Sequence, residues 1–207
     1  MDSTRKVFGI GLSRTGTKSL TVALNTLGWD IAHYPTDEQT LQDLRSTNAN
    51  FRILRQINGI TDLTVVPFYS QLDQLFPNSQ FILTVRHREH WLRSLRQHWD
   101  YAEQQYQLAD NPADWIPVLE ATRLLKMSVF GRHDFHSGHM LATYEKHCTD
   151  VLEYFQQQPH KLLVLDICAG EGWEKLCPFL GCDRLEHPFP YVEFRQPVTL
   201  RREESVA

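Results

Sequence analysis

The chain has 207 residues, 42% of them hydrophobic and 22% charged, with a formal net charge of −4. This length suits one globular domain with a real core, expected over residues 1–200 with a charged, mobile tail at 201–207. The slightly acidic balance argues against general nucleic-acid binding, and no apolar run is long enough to span a membrane.

In chain order, a short apolar run over 7–12 enters a glycine-containing turn. Leu20, Ala23, Leu24 and Leu27 then mark one face of a helix that Gly28 is suited to end. A short strand is expected at 29–32. Thr36 to Gln39 has capping-box spacing and should open a second helix. A brief strand is expected at 63–66, closed by Pro67, and a short helix at 68–76. Residues 81–85 read as a buried strand with Arg86 at its end. Helices are expected at 89–106 and 113–127, separated by Asp110-Asn111-Pro112, and a loop at 131–138. A long helix at 140–157, a strand at 162–166 and a short helix at 172–180 complete the pattern, with irregular chain from Pro188. Strands alternating with helices imply an α/β fold, a single-domain parallel sheet flanked by helices. Ligands of such sheets sit at the carboxyl ends of the strands. The turn at Gly11 and the side chain of Arg86 both fall on that edge.

The turn carries the most chemistry. Gly11 and Gly16 have the spacing of a phosphate-binding loop, where backbone N–H groups and a helix N-terminus converge on an anion. The ATP/GTP signature places Lys directly after the second Gly, followed by Ser or Thr for Mg²⁺. Here Thr17 follows Gly16 and the lysine comes one place late, at Lys18. One residue turns a helical side chain by about 100°, away from the phosphates. Arg14, inside the loop, can face the anion directly. At the second strand, Ser94 lies eight residues after Arg86, which allows a turn and part of a helix and lets both converge on one anion.

Three blocks carry a resemblance to a known family. They are Leu12-Ser13-Arg14-Thr15-Gly16-Thr17-Lys18-Ser19-Leu20, the run from Phe81 through Arg86 and Trp91 to Ser94, and the late run from Gly170 through Trp173 to Gly181. Together, over about residues 5–196, the chain resembles the P-loop sulfotransferases, small proteins dependent on 3′-phosphoadenosine 5′-phosphosulfate (PAPS). The resemblance implies a P-loop NTPase-like sulfotransferase fold and PAPS as co-substrate. It implies transfer of a sulfuryl group to a hydroxyl or amine of a small-molecule acceptor such as a sugar, lipid or metabolite. By the same resemblance, Ser13, Arg14, Thr15, Gly16, Thr17, Lys18 and Ser19 would hold the 5′-phosphosulfate, and Arg86 and Ser94 the 3′-phosphate. Arg195 is a further candidate for that phosphate. Arg14 stands where the family often has a lysine, stabilising charge on the leaving group. Asp62 is the candidate general base, with His33 as alternate. Tyr144 and His147 are candidates for the acceptor pocket, and much of residues 100–140 is expected to form it.

Two rival readings are a small-molecule kinase using ATP and Mg²⁺, with Asp166 as its acid, and a P-loop scaffold that binds a nucleotide without turnover. His133, His136 and His139 are evenly spaced but lack a carboxylate or cysteine to complete a metal site. Cys148, Cys168, Cys177 and Cys182 show no CxxC pairing. Cys168 and Cys177 read as buried thiols, and a cytoplasmic location is the expectation.

Overall fold

A computed structural model describes residues 5–47 and 49–192. Arg195 and the expected tail at 201–207 lie outside them. The centre of the fold is a five-stranded parallel sheet in the order β2-β3-β1-β4-β5. Its strands are β1 (Val7–Gly9), β2 (Ile31–His33), β3 (Gly59–Thr61), β4 (Gln80–Thr84) and β5 (Leu162–Leu165). The helices are α1 (Thr17–Thr26), α2 (Glu38–Arg45), α3 (Tyr69–Leu75), α4 (Arg88–His98), α5 (Tyr101–Leu108), α6 (Ile116–Phe130), α7 (Ser137–Tyr154) and α8 (Trp173–Leu180). From β1 the chain moves to one side for β2 and β3, then crosses to the other for β4 and β5. A sheet of this kind opens a crevice at the carboxyl ends where the order reverses.

Side-chain alternation along the strands builds two cores, one on each face. Phe8, Phe81 and Leu83 point to the larger, where α4, α6 and α7 supply Trp91, Leu125, Met140 and Val151. Val7, Ile82 and Leu165 point to the smaller, against Leu20 and Leu24 of α1 and Trp173, Leu176 and Leu180 of α8. β1 and β4 are apolar on both sides because both faces of the sheet are covered.

Several local expectations shift. The strand expected at 63–66 forms earlier, as β3. Asp62 adopts φ 76°, which turns the chain out of the sheet, and Asp is one of the few residues that tolerate that region. Leu63, Val65 and Val66 are still buried, but in a turn that leads into a short 3-10 helix at Val66–Phe68. The single helix expected at 89–106 is two, α4 and α5. Between them Trp99 is buried, donates from its indole Nε1 to the His133 carbonyl at 2.8 Å, and packs on Phe130 and Phe135. The cap of α2 falls one residue later than expected, with the Asp37 carboxylate accepting from Thr40 N–H at 3.0 Å. Cys177 is buried as expected, whereas Cys168 is exposed.

Gly11 sits where β1 ends against β4. A Cβ there would lie 2.0 Å from Thr84 Oγ1 and 2.5 Å from the Thr84 carbonyl oxygen. The nearest obstacles include backbone, which cannot swing aside. Gly11→Ala is therefore expected to cost about 3 kcal/mol, near the upper end for overpacking, and to lower Tm by about 6–12 °C. Thermal unfolding of the variant checks this, and an unchanged Tm would show that the strand ends can separate.

Candidate functional site

The carboxyl edge of the sheet opens into a cavity of about 740 Å³. It is lined at one end by the loop before α1 and elsewhere by side chains from α4, α5 and α6. Gly16 is the N-cap of α1 at φ 97°, and no side chain caps the helix. The first-turn N–H groups of a helix lack partners within it, so this end attracts an anion.

Of the residues expected to bind the phosphates, Ser13, Arg14, Gly16, Thr17, Lys18 and Ser19 line the cavity, as do Arg86 and Ser94. Thr15 does not. Its hydroxyl is buried, donating to the Leu12 carbonyl at 2.6 Å and paired with Thr84 Oγ1 at 2.6 Å, so it shapes the loop from behind. Ser19 Oγ accepts from the Val192 N–H at 2.9 Å, which draws the late segment over the start of α1.

Asp62 is 4% exposed. One carboxylate oxygen accepts from the Ser13 hydroxyl and, at 2.7 Å, from the Leu63 N–H; the other accepts from the Thr17 hydroxyl. Asp62 N–H in turn donates to the Gly9 carbonyl at 3.0 Å. The carboxylate thus ties the loop, the start of α1 and the end of β3 together. Three donors occupy about three of its four lone-pair positions and leave one on the Thr17 side.

Arg14 and Arg86 come together at the loop. Arg86 Nη1 donates to the Arg14 carbonyl at 3.1 Å, and Arg14 Nε donates to Ser94 Oγ at 3.0 Å. Burial and then the Arg86 charge hold Arg14 below its ordinary range, with Asp62 opposing in part. Arg86 Nε is buried without a hydrogen-bond partner. Two neighbouring guanidiniums and an unsatisfied buried N–H together offer donors that could meet an anion.

Residues outside the expected set brace this arrangement. Trp91 Nε1 donates to the Ser13 carbonyl at 3.0 Å. Tyr144 was a candidate for the acceptor pocket; its hydroxyl instead accepts from Arg86 N–H at 2.9 Å and donates to the Arg86 carbonyl at 2.8 Å. Burial pushes that phenol up to about 12. His147, the other such candidate, contacts the Ile10 carbonyl through Nε2 at 2.8 Å, beneath the sheet edge. Neither lines the cavity. Asp166 accepts from Ala169 N–H at 2.9 Å and caps a turn, also away from the lining.

Residues 101–130 supply Tyr101, Ala102, Val118, Thr122, Lys126 and Phe130 to the cavity. Tyr34 also lines it and meets Thr122, hydroxyl to hydroxyl at 3.0 Å, and burial holds the Tyr34 phenol protonated. His33 also lines it, with Nδ1 3.2 Å from Thr61 Oγ1, and burial lowers its basicity. His98 was not singled out in the sequence because nothing around it forms a motif. Here it lines the cavity, lowered to about 4 by burial and then by the Arg14 charge.

The unfolded chain takes up a proton on this imidazole near its ordinary 6.5, the folded chain only near 4. Between those values the unfolded state binds more protons, so stability falls as pH drops through the window. His98 alone is expected to account for a loss on the order of 2 kcal/mol between pH 7 and pH 5. Urea unfolding at both pH values checks this: His98→Gln should lose less stability on acidification than the parent, and an equal loss would mean that His98 protonates freely in the fold.

The family model described as a sulfotransferase domain matches residues 6–197. The chain is also similar to "Ava biosynthesis cluster protein M" of Aspergillus versicolor, 25% identical over 219 residues that cover 90% of this chain and 80% of that one. The loop before α1, the guanidinium pair and the α/β sheet all lie within the matched span, and the chain belongs to the sulfotransferase-domain family.

Proposed function

We propose that this protein is a PAPS-dependent sulfotransferase that transfers a sulfuryl group to a hydroxyl or amine of a small-molecule acceptor. The observation that carries the reading is the pair of guanidiniums, Arg14 and Arg86, held beside Ser94 with Arg86 Nε buried and unsatisfied. A nucleotide with phosphates at both its 3′ and 5′ positions supplies acceptors for such a group of donors.

In this reading the loop N–H groups, Lys18 and Arg14 hold the 5′ end, and Arg86 with Ser94 holds the 3′-phosphate. PAPS, when bound, supplies the sulfuryl group, whose bond to the phosphate oxygen breaks as the acceptor's bond to sulfur forms. Arg14 stabilises charge at the leaving oxygen, since a guanidinium is always charged and aims fixed donors. Asp62 keeps Ser13 and Thr17 in register and takes the acceptor proton at its remaining lone pair. The histidines nearest the site, His33 and His98, stay neutral and add no competing charge. The acid that the sequence offered a kinase for Mg²⁺, Asp166, is turned to its own cap.

The test is thermal stabilisation by adenosine 3′,5′-bisphosphate against ADP with Mg²⁺. At one hundred times Kd the bisphosphate should add about 2.7 kcal/mol, and Arg86→Ala should abolish the shift at that concentration. Stabilisation by ADP with Mg²⁺ alone would move the reading to a kinase, and no shift with either would leave a scaffold without this ligand. For the chemical step, Asp62→Asn should lower kcat at saturating donor by about 10²–10⁴-fold, in addition to weakening bisphosphate binding through the loosened loop. Loss of affinity with kcat intact would reduce Asp62 to a brace of the loop.

A further inference from the structure

α6 faces the cavity with one side chain per turn: Val118, Thr122, Lys126 and Phe130. At 1.5 Å per residue this stripe runs about 18 Å. Lys126 is the anomaly in it. The residue is 4% exposed and lies among aromatic groups, with its ammonium 4.7 Å from the centre of the Trp99 ring. Burying an ammonium is costly unless it is well paired. Glu103 pairs with it at 3.3 and 3.4 Å, longer than the roughly 2.7–2.9 Å of a strong charge-assisted bond. Glu103 does not line the cavity, whereas Lys126 does. An ammonium carries three N–H donors, and no further acceptor meets Lys126 among the described residues.

The rest of the cavity does not compensate for this charge. Asp62 is the only acidic side chain on its lining among the described residues, and the loop already engages it. Tyr34 and Thr122 offer neutral hydroxyls beside the stripe, and Trp99, Tyr101 and Phe130 offer flat apolar surface. The chamber therefore presents a buried, incompletely paired cation on an aromatic wall.

Resting on the sulfotransferase reading, we propose that the acceptor is a flat, hydroxylated carboxylate whose carboxylate is anchored by Lys126. Its hydroxyl oxygen forms the new bond to sulfur as the donor's S–O bond to phosphate breaks, and its proton passes to Asp62. The carboxylate takes no part in those bond changes. It selects the substrate.

Binding is the readout. The protein saturated with adenosine 3′,5′-bisphosphate is titrated calorimetrically with 4-hydroxybenzoate and 3-(4-hydroxyphenyl)propionate, and with their primary amides. Each acid is expected to bind at least tenfold more tightly than its amide. Lys126→Met should bring that ratio near one, Lys126→Arg should keep most of it, and Glu103→Gln should raise it by removing the competing carboxylate. Bisphosphate affinity should stay within about twofold throughout, because Lys126 belongs to the acceptor wall. Equal binding of acid and amide, no binding of either acid, or a preference that survives Lys126→Met would overturn the assignment. Should Lys126→Met not fold, Glu103→Gln decides: an unchanged acid preference overturns it. Should the bisphosphate itself fail to bind, the sulfotransferase reading falls, and the same acid–amide comparison on the unliganded protein still decides the anchor.

Discussion

The carboxylate of Asp62 is the constraint on which the site depends. A phosphate loop must hold its backbone open so that its N–H groups face a ligand, and an open loop lacks internal bonds to fix its shape. Asp62 supplies them from outside, taking the hydroxyls of Ser13 and Thr17 and the N–H of Leu63. To reach that position the chain leaves β3 through a left-handed residue. Such a residue is unfavourable alone and persists only where its surroundings compensate. The compensation is visible in the same bonds, since Asp62 N–H also closes onto the Gly9 carbonyl. Strand end, loop and helix start therefore move as one unit.

Around that unit the protein concentrates positive charge. Two guanidiniums beside each other repel, and burial deprives them of the water that would screen the repulsion. The fold holds them there by bonds to their backbones, while Asp62 offsets the Arg14 charge in part. Tyr144 grips Arg86 at both its N–H and its carbonyl, Trp91 grips the Ser13 carbonyl, and Arg86 itself reaches the Arg14 carbonyl. Donors preorganised in this way would need little rearrangement to meet an anion, the condition under which electrostatic stabilisation of a transferring group is strongest. The core on that face of the sheet is thus part of the site's chemistry, because Trp91 and Tyr144 are packed within it.

Much of this was legible in the sequence wherever the signal was local. The loop from Ser13 to Ser19 announced itself by its glycines and its misplaced lysine, and Arg86 by its place at the end of an apolar run. The sheet followed from alternating elements. Bonds between distant segments were not legible. Tyr144 and His147 looked like pocket residues because polar groups on a helix are ambiguous until the helix's neighbours are known; both face the sheet edge instead. The strand at 63–66 failed because four apolar residues fit a buried turn as well as a strand. Cys168 looked buried by its neighbours, yet the short turn over Ile167–Ala169 carries it to the cavity rim. The α6 stripe was hidden for a related reason. A face that mixes Val118, Thr122, Lys126 and Phe130 has helical spacing but no uniform polarity, so an apolar-periodicity reading passes over it.

That last point bears on how the two halves of the cavity differ. The loop end is built from strand ends and the first turn of α1, where Ser13 and Thr17 are tied to Asp62, Arg14 to Ser94 and Arg86 to the Arg14 carbonyl. A change there disturbs the sheet. The α6 wall is built from side chains that extend from one helix and meet Tyr34, Glu103 and Trp99. A change there can alter what the cavity accepts without moving β1, β3 or β4. The division follows from the topology: a parallel sheet fixes its carboxyl edge rigidly, whereas a helix beyond that edge only has to cover it. In the proposed reaction, selection between acceptors would therefore vary along α6 while the donor end stays constant, and the buried ammonium of Lys126 is the feature of that wall that a neutral apolar lining would not need.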